Sequence, residues 1–146
     1  MTTTEQPILL AAVSLLSALH LGFQARRVGW SRMKYKIKPP AVNGPPEFER
    51  TFRAHQNGVE FYPVFLVVLW TSGLFCNEAL AALGGLVYVV AREMYFTGYA
   101  KSADGRLPGF YLILCVLLTL AVTAAIGIIP SFLDKYLSIK ILSRAL

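Results

Sequence analysis

Four side chains able to grip a small charged molecule recur along one stretch of this sequence at helical intervals: Arg50, Arg53, Asn57 and Glu60. Steps of three, four and three residues put them on one face of a helix. A second set, Arg92, Tyr95 and Tyr99, repeats the interval farther along. Guanidinium groups hold carboxylates in a fork geometry, a carboxylate holds an ammonium, and an amide serves either. With aromatic walls, the combination suits a small zwitterionic peptide that carries more than one carboxylate. The plainer alternative is structural: Glu60 pairs with Arg92 between helices, and the other arginines reach out to headgroups. Metal chemistry is disfavoured, because His55 has no second His or Cys at ligand spacing.

The elements that must position these groups are membrane helices. Of the 146 residues, 55% are hydrophobic and only 15% charged, against about a quarter charged in ordinary globular domains. The same balance excludes disorder, and two cysteines cannot form a disulfide scaffold. A span needs about 20 mostly apolar residues. Apolar runs predict four, over 7–26, 48–75, 79–100 and 107–132, with a tail over 133–146 at the far interface. The expected fold is an all-α integral membrane bundle of four transmembrane helices forming one domain over 1–146. The polar lead-in from Glu49 to Glu60 has no helix breaker, so the second helix should run to about 28 residues. The first apolar run does not read as a cleavable signal, since Met1 to Pro7 carries no basic residue.

Charge sets the orientation. Eight of the 14 Lys and Arg fall between the apolar runs 8–24 and 61–75, and two more, Lys101 and Arg106, between the last two spans. The positive-inside rule then puts the first and third loops in the cytosol. The basic groups flank apolar spans, which argues for lipid or an anionic solute as partner and against nucleic acid. Pro39, Pro40, Pro45 and Pro46 make the first loop a rigid turn. Asp104-Gly105 is a turn pair, and Pro108 suits a helix start. His20 reads as a helix–helix hydrogen-bonding residue and Glu93 as a subunit contact. Cys76, Cys115, Tyr62 and Trp70 read as packing residues.

The stretch Pro45 to Pro63 (PPEFERTFRAHQNGVEFYP), together with Gly85 to Arg92 and Tyr95 to Tyr99, resembles the signature of the MAPEG family, the membrane-associated proteins of eicosanoid and glutathione metabolism. The resemblance covers nearly the whole chain and implies a homotrimer with active sites between neighbouring subunits. It implies glutathione as co-substrate, no metal, and a place in the endoplasmic reticulum membrane and nuclear envelope. By motif position, Arg53, Asn57, Glu60 and Tyr95 would contact glutathione, and Arg32, Arg50, Arg92 and Tyr99 would line its site. His55 and Phe61 stand at glutathione-facing positions where some members carry Gln and Tyr. Arg106 matches the arginine that activates the glutathione thiol. The implied activity is conjugation of glutathione to lipophilic electrophiles, including xenobiotics and the leukotriene A4 epoxide, giving leukotriene C4, with glutathione-dependent reduction of lipid hydroperoxides beside it. The competing reading is a non-catalytic lipid-binding or scaffold member. Retention of Arg53 and Arg106 favours the enzyme.

Overall fold

Residues 5–137 are described by a computed structural model. Among the described residues there are four α-helices and no strand: α1 (Ile8–Tyr35), α2 (Pro46–Phe75), α3 (Glu78–Lys101) and α4 (Leu107–Leu137). A single 3-10 turn, Asp104–Arg106, leads into α4. All four helices are long and apolar enough to cross a membrane. The chain is a multi-pass membrane protein.

The helices outrun the spans expected from hydropathy. α1 continues nine residues past position 26, carrying Arg27, Arg32 and Lys34 out of the apolar zone on ordered helix. Hydropathy marks where lipid ends, whereas a helix ends where the backbone is forced out of it. Here that point is Lys36, in the left-handed region at φ 56°, followed by Ile37 N–H donating to Arg32 O at 3.0 Å. This 6→1 closure satisfies a carbonyl that the helix leaves bare. The prolines then prevent resumption until Pro46, which opens α2 where its missing N–H costs nothing. Glu47 and Glu49 occupy the first turn of α2, as the helix dipole favours. α2 runs 30 residues and absorbs Pro63, and α4 likewise absorbs Pro130 and reaches Leu137. The rest of the expected tail, residues 138–146, lies outside the described residues.

Between α2 and α3 the chain reverses in two residues. Asn77 caps α3, its Oδ1 accepting from Leu80 N–H at 2.8 Å. α3 packs against each of the other helices. The core is assembled on its inner face, where Phe65 and Tyr88 stack at 3.8 Å and 4°, with Leu10, Leu69, Phe96 and Ile113 fully buried beside them. The outer faces remain apolar, with Leu15, Val67, Leu83, Leu118 and Ile126 exposed, as lipid requires and water would not allow.

Glycines let α4 approach α3 without a gap. A Cβ at Gly109 would strike the backbone of Tyr95, and one at Gly105 would strike Gly98. Backbone-to-backbone contact at small residues is how membrane helices pack when no hydrophobic force joins them.

Candidate active site

Arg92 is the centre of the polar cluster. α3 carries it on the same face as Tyr88, Tyr95 and Tyr99, four, three and seven residues away. It is only 4% exposed. Its Nε donates to the Tyr88 hydroxyl at 3.0 Å and its Nη1 to Asn57 Oδ1 at 2.7 Å. Rings of Phe61, Tyr88 and Tyr95 surround the guanidinium at 5.2, 5.3 and 5.7 Å. Gln24 of α1, also buried, donates to the Arg92 carbonyl at 3.3 Å. Nη2 is buried with no hydrogen-bond partner among the described residues.

No Glu60–Arg92 pair is present. Asn57 takes that place, because Glu60 sits about 4.5 Å farther along α2 and is exposed. The two ion pairs among the described residues both go to Glu93. Arg92 therefore carries a permanent charge with π faces and neutral oxygens around it and no carboxylate.

A shell of further predicted residues continues outward from Arg92. Tyr95 is buried and lies 5.8 Å from the Tyr99 ring and 6.4 Å from Phe110 of α4. Arg106, half-buried at the threshold of α4, sits 5.3 Å over the Tyr99 ring and donates to the Ala103 carbonyl. Arg50 points across to the end of α3, donating to Ala100 O at 3.4 Å. Arg53 is exposed on the same face of α2, its Nη1 bonded to Gln56 Oε1 at 3.1 Å. So Asn57, Phe61, Arg92, Tyr95, Tyr99 and Arg106 form one connected run over α2, α3 and the start of α4. Arg50, Arg53 and Glu60 lie along its α2 border.

Two predicted residues stand apart. Arg32 donates to Ala41 O at 2.6 Å, pinning the proline loop, and its guanidinium lies over Phe48 and Phe52 at 5.3 and 5.6 Å. Those rings and His55 occupy the side of α2 about 180° from Asn57. Arg32 and His55 thus share one side of α2, and the Arg92 cluster has the other.

Tyr88 and Gln24 were not singled out as site residues. Tyr88 carried a signal, its position one turn before Arg92. Gln24 showed only as a polar break in the first span. Glu93 is engaged inside the chain: Oε2 meets His20 Nε2 at 2.9 Å and Oε1 meets Arg27 Nη1 at 2.7 Å. This binds α1 to α3, as expected for His20, and leaves the Glu93 side chain partly exposed. Tyr62 meets Ser17 Oγ at 2.9 Å and Trp70 donates to Ser14 Oγ at 2.9 Å, so both join helices by polar contacts. Cys76 and Cys115 are exposed and line an apolar groove of about 370 Å³. Cys115 lies about 14 Å along α4 from Arg106, which separates that groove from the cationic cluster. No group of three or more His, Cys, Asp or Glu able to hold a metal occurs among the described residues.

Known proteins share this arrangement of sequence. Residues 7–126 match the model of the MAPEG family. Microsomal glutathione S-transferase 2 of Homo sapiens is 51% identical over 137 residues, covering 94% of this chain and 93% of that protein. The protein of the same name from Mus musculus is 52% identical, covering 93% and 92%. Leukotriene C4 synthase of Bos taurus is 41% identical over 140 residues, covering 96% and 93%. A four-helix membrane bundle, a family match over most of its length and relatives aligned nearly end to end lead to one assignment: the chain belongs to the MAPEG family.

Proposed function

We propose that this protein is a membrane-embedded glutathione transferase that ionises the glutathione thiol and joins the sulfur to lipophilic electrophiles. The observation that carries the reading is the pair of cations Arg92 and Arg106 at one end of the bundle, neither bonded to a carboxylate among the described residues. An anionic tripeptide supplies the missing negative charge. Relatives named glutathione S-transferase and leukotriene C4 synthase support the same chemistry.

In this scheme Arg53, Asn57, Glu60 and Tyr95 bind glutathione, with Arg50, Phe61, Arg92 and Tyr99 completing the wall. Arg106 acts at the sulfur. A free thiol titrates near pH 8.5, so little thiolate exists at neutrality. Arginine stays protonated and cannot serve as an ordinary base. Its contribution is electrostatic: a guanidinium beside the sulfur in a site shielded from water favours the anion. Lowering the thiol pKa by two units takes about 2.7 kcal/mol, within reach of one well-placed charge. The thiolate attacks an electron-poor carbon, such as that of a xenobiotic or the leukotriene A4 epoxide, and a thioether forms as the C–O or other bond breaks. Attack on the terminal hydroperoxide oxygen breaks the O–O bond, releasing the lipid alcohol and leaving the sulfur as a sulfenic acid, from which a second glutathione forms the disulfide with loss of water.

Arg32 and His55, on the opposite side of α2, reach a glutathione site only if it belongs to a neighbouring copy. That placement supports a homotrimer with sites between subunits. The basic loop end faces the cytosol, and the membrane is that of the endoplasmic reticulum and nuclear envelope.

The test is Arg106→Ala. The variant is expected to fold and bind glutathione, yet to lose the thiolate absorbance and lower conjugation by about two orders of magnitude or more. Full turnover would remove Arg106 from the mechanism. Absence of any thiolate signal in the unaltered protein would favour the lipid-presenting scaffold instead.

A further inference from the structure

A second polar recess lies about a quarter-turn round α3 from the Arg92 cluster, on the side that carries Phe96 and Ala100. It is a groove of about 500 Å³ between the end of α1, the start of α2 and the end of α3. Phe23 and Phe96 form its deeper part, while Trp30, Ser31, Lys34 and Thr51 line its outer part. Aromatic rings line it throughout, Phe23 and Phe96 toward the apolar zone and Trp30 and Tyr35 toward the basic loop, and Ser31, Lys34, Glu47 and Thr51 add polar and charged groups at the loop end. Its position is set by α1 outrunning the membrane. Residues 27–35 stand as ordered helix at the level where headgroups lie, so their side chains present a fixed surface there.

The charges within reach can be counted. Arg27 lines the groove but is neutralised by Glu93 and held over the Phe96 ring at 4.1 Å. Lys34 is exposed and has no ion pair among the described residues. Arg26 stacks on the Trp30 ring at 4.7 Å and brings a second free cation to the rim. Glu47 also lines the groove, but it occupies the first turn of α2, where the dipole offsets part of its charge. The balance is positive. The Ser31 hydroxyl supplies a neutral donor beside it, whereas the Thr51 hydroxyl donates to Glu47 O at 3.0 Å.

We infer that this groove binds an anionic phospholipid. Its phosphate lies between Lys34 and Ser31 beneath Trp30, and an acyl chain runs inward past Phe23 and Phe96. Charge complementarity selects an anion, and the aromatic floor selects one that carries a hydrocarbon chain. Trp at this level is the ordinary anchor of a membrane–water boundary, and basic groups at the surface attract anionic lipid. A soluble phosphate would satisfy the outer half of the groove and leave the inner half bare. The inference does not depend on the glutathione reading.

Trp30 makes the site observable. In a Trp70→Phe variant it is the sole tryptophan. Reconstituted into phosphatidylcholine vesicles with brominated phosphatidylserine as a minor component, Trp30 fluorescence should be quenched about fivefold more effectively than by the same amount of brominated phosphatidylcholine. Lys34→Ala should remove most of that preference. Lys38→Ala, which deletes an equal charge outside the groove, should leave it. Inorganic phosphate at constant ionic strength should not relieve the quenching. Equal quenching by the two lipids, an equal loss in Lys34→Ala and Lys38→Ala, or relief by phosphate would each overturn the proposal. Should Trp70→Phe fail to fold, native mass spectrometry of the unaltered protein replaces it. There, retention of phosphatidylserine over phosphatidylcholine that Lys34→Ala abolishes is the supporting result, and no such preference is the overturning one.

Discussion

Arg92 is a permanent cation in a nearly dry place, and its geometry shows what makes that tolerable. Two hydrogen bonds go to neutral oxygens and three aromatic faces surround the charge. Each such face is worth up to about 2 kcal/mol when desolvated. Asn57→Leu would strip the bond to Nη1 and leave both terminal nitrogens bare. We expect a loss of about 1–3 kcal/mol, seen as a lower thermal midpoint in detergent. An unchanged midpoint would mean that Arg92 finds another partner. The faces bearing Arg50, Arg53, Asn57, Glu60, Arg92, Tyr95 and Tyr99 were legible in sequence, because a period of 3.6 residues fixes which side chains share a side. Their partners were not. Spacing says nothing about which level of one helix stands opposite another, and so it suggested Glu60 for Arg92 where Asn57 is the residue at hand.

At the scale of the helix, the four spans were readable from apolar runs, but the ends of α1 and α4 were not. Both helices continue into polar sequence because no breaker intervenes. The consequence for the proposed site is direct, since Arg32 stands on the extension of α1. The seam between α3 and α4 is equally consequential. Arg106 is held over Tyr99 only because Gly109 lets α4 lie against Tyr95. Gly109→Ala should push the helices apart at a cost of about 1–3 kcal/mol, and should reduce turnover more than a stability loss of that size explains. A variant with unaltered thermal midpoint and unaltered turnover would show that the seam can widen without moving Arg106. Nothing in the sequence marked Gly109 as a contact, for a glycine inside an apolar run is silent until its neighbour is known.

For the molecule as a whole, the separation of Arg32 and His55 from the Arg92 cluster leads to a complementation test. If each site takes Arg32 from one copy and Arg53 from the next, two inactive variants can repair one another. Co-expression of Arg32→Ala with Arg53→Ala should restore conjugation to about a quarter of the unaltered level, the fraction of interfaces that pair intact halves in a randomly mixed ring. Mixed protein as inactive as either parent would place both residues in one copy's site. The sequence foretold a multi-pass bundle because span length and charge placement are properties of a single chain. How copies fit together depends on exposed faces, and in a membrane protein those faces are apolar wherever they point.

α3 has one more consequence, for how the protein is made. It is the helix that carries Arg92 and Glu93 within its span, and a basic or acidic group at mid-span raises the cost of insertion by about 3 kcal/mol. Every side chain bonded to those two outside α3 itself comes earlier in the chain: His20, Gln24 and Arg27 on α1 and Asn57 on α2. As the nascent polypeptide leaves the ribosome, the acceptors and counter-ions are already in the bilayer when the difficult segment emerges. In a glycosylation-tag assay, α3 alone should therefore insert poorly and improve severalfold behind α1 and α2. Efficient entry of the isolated segment would show that synthesis order gives this helix no help.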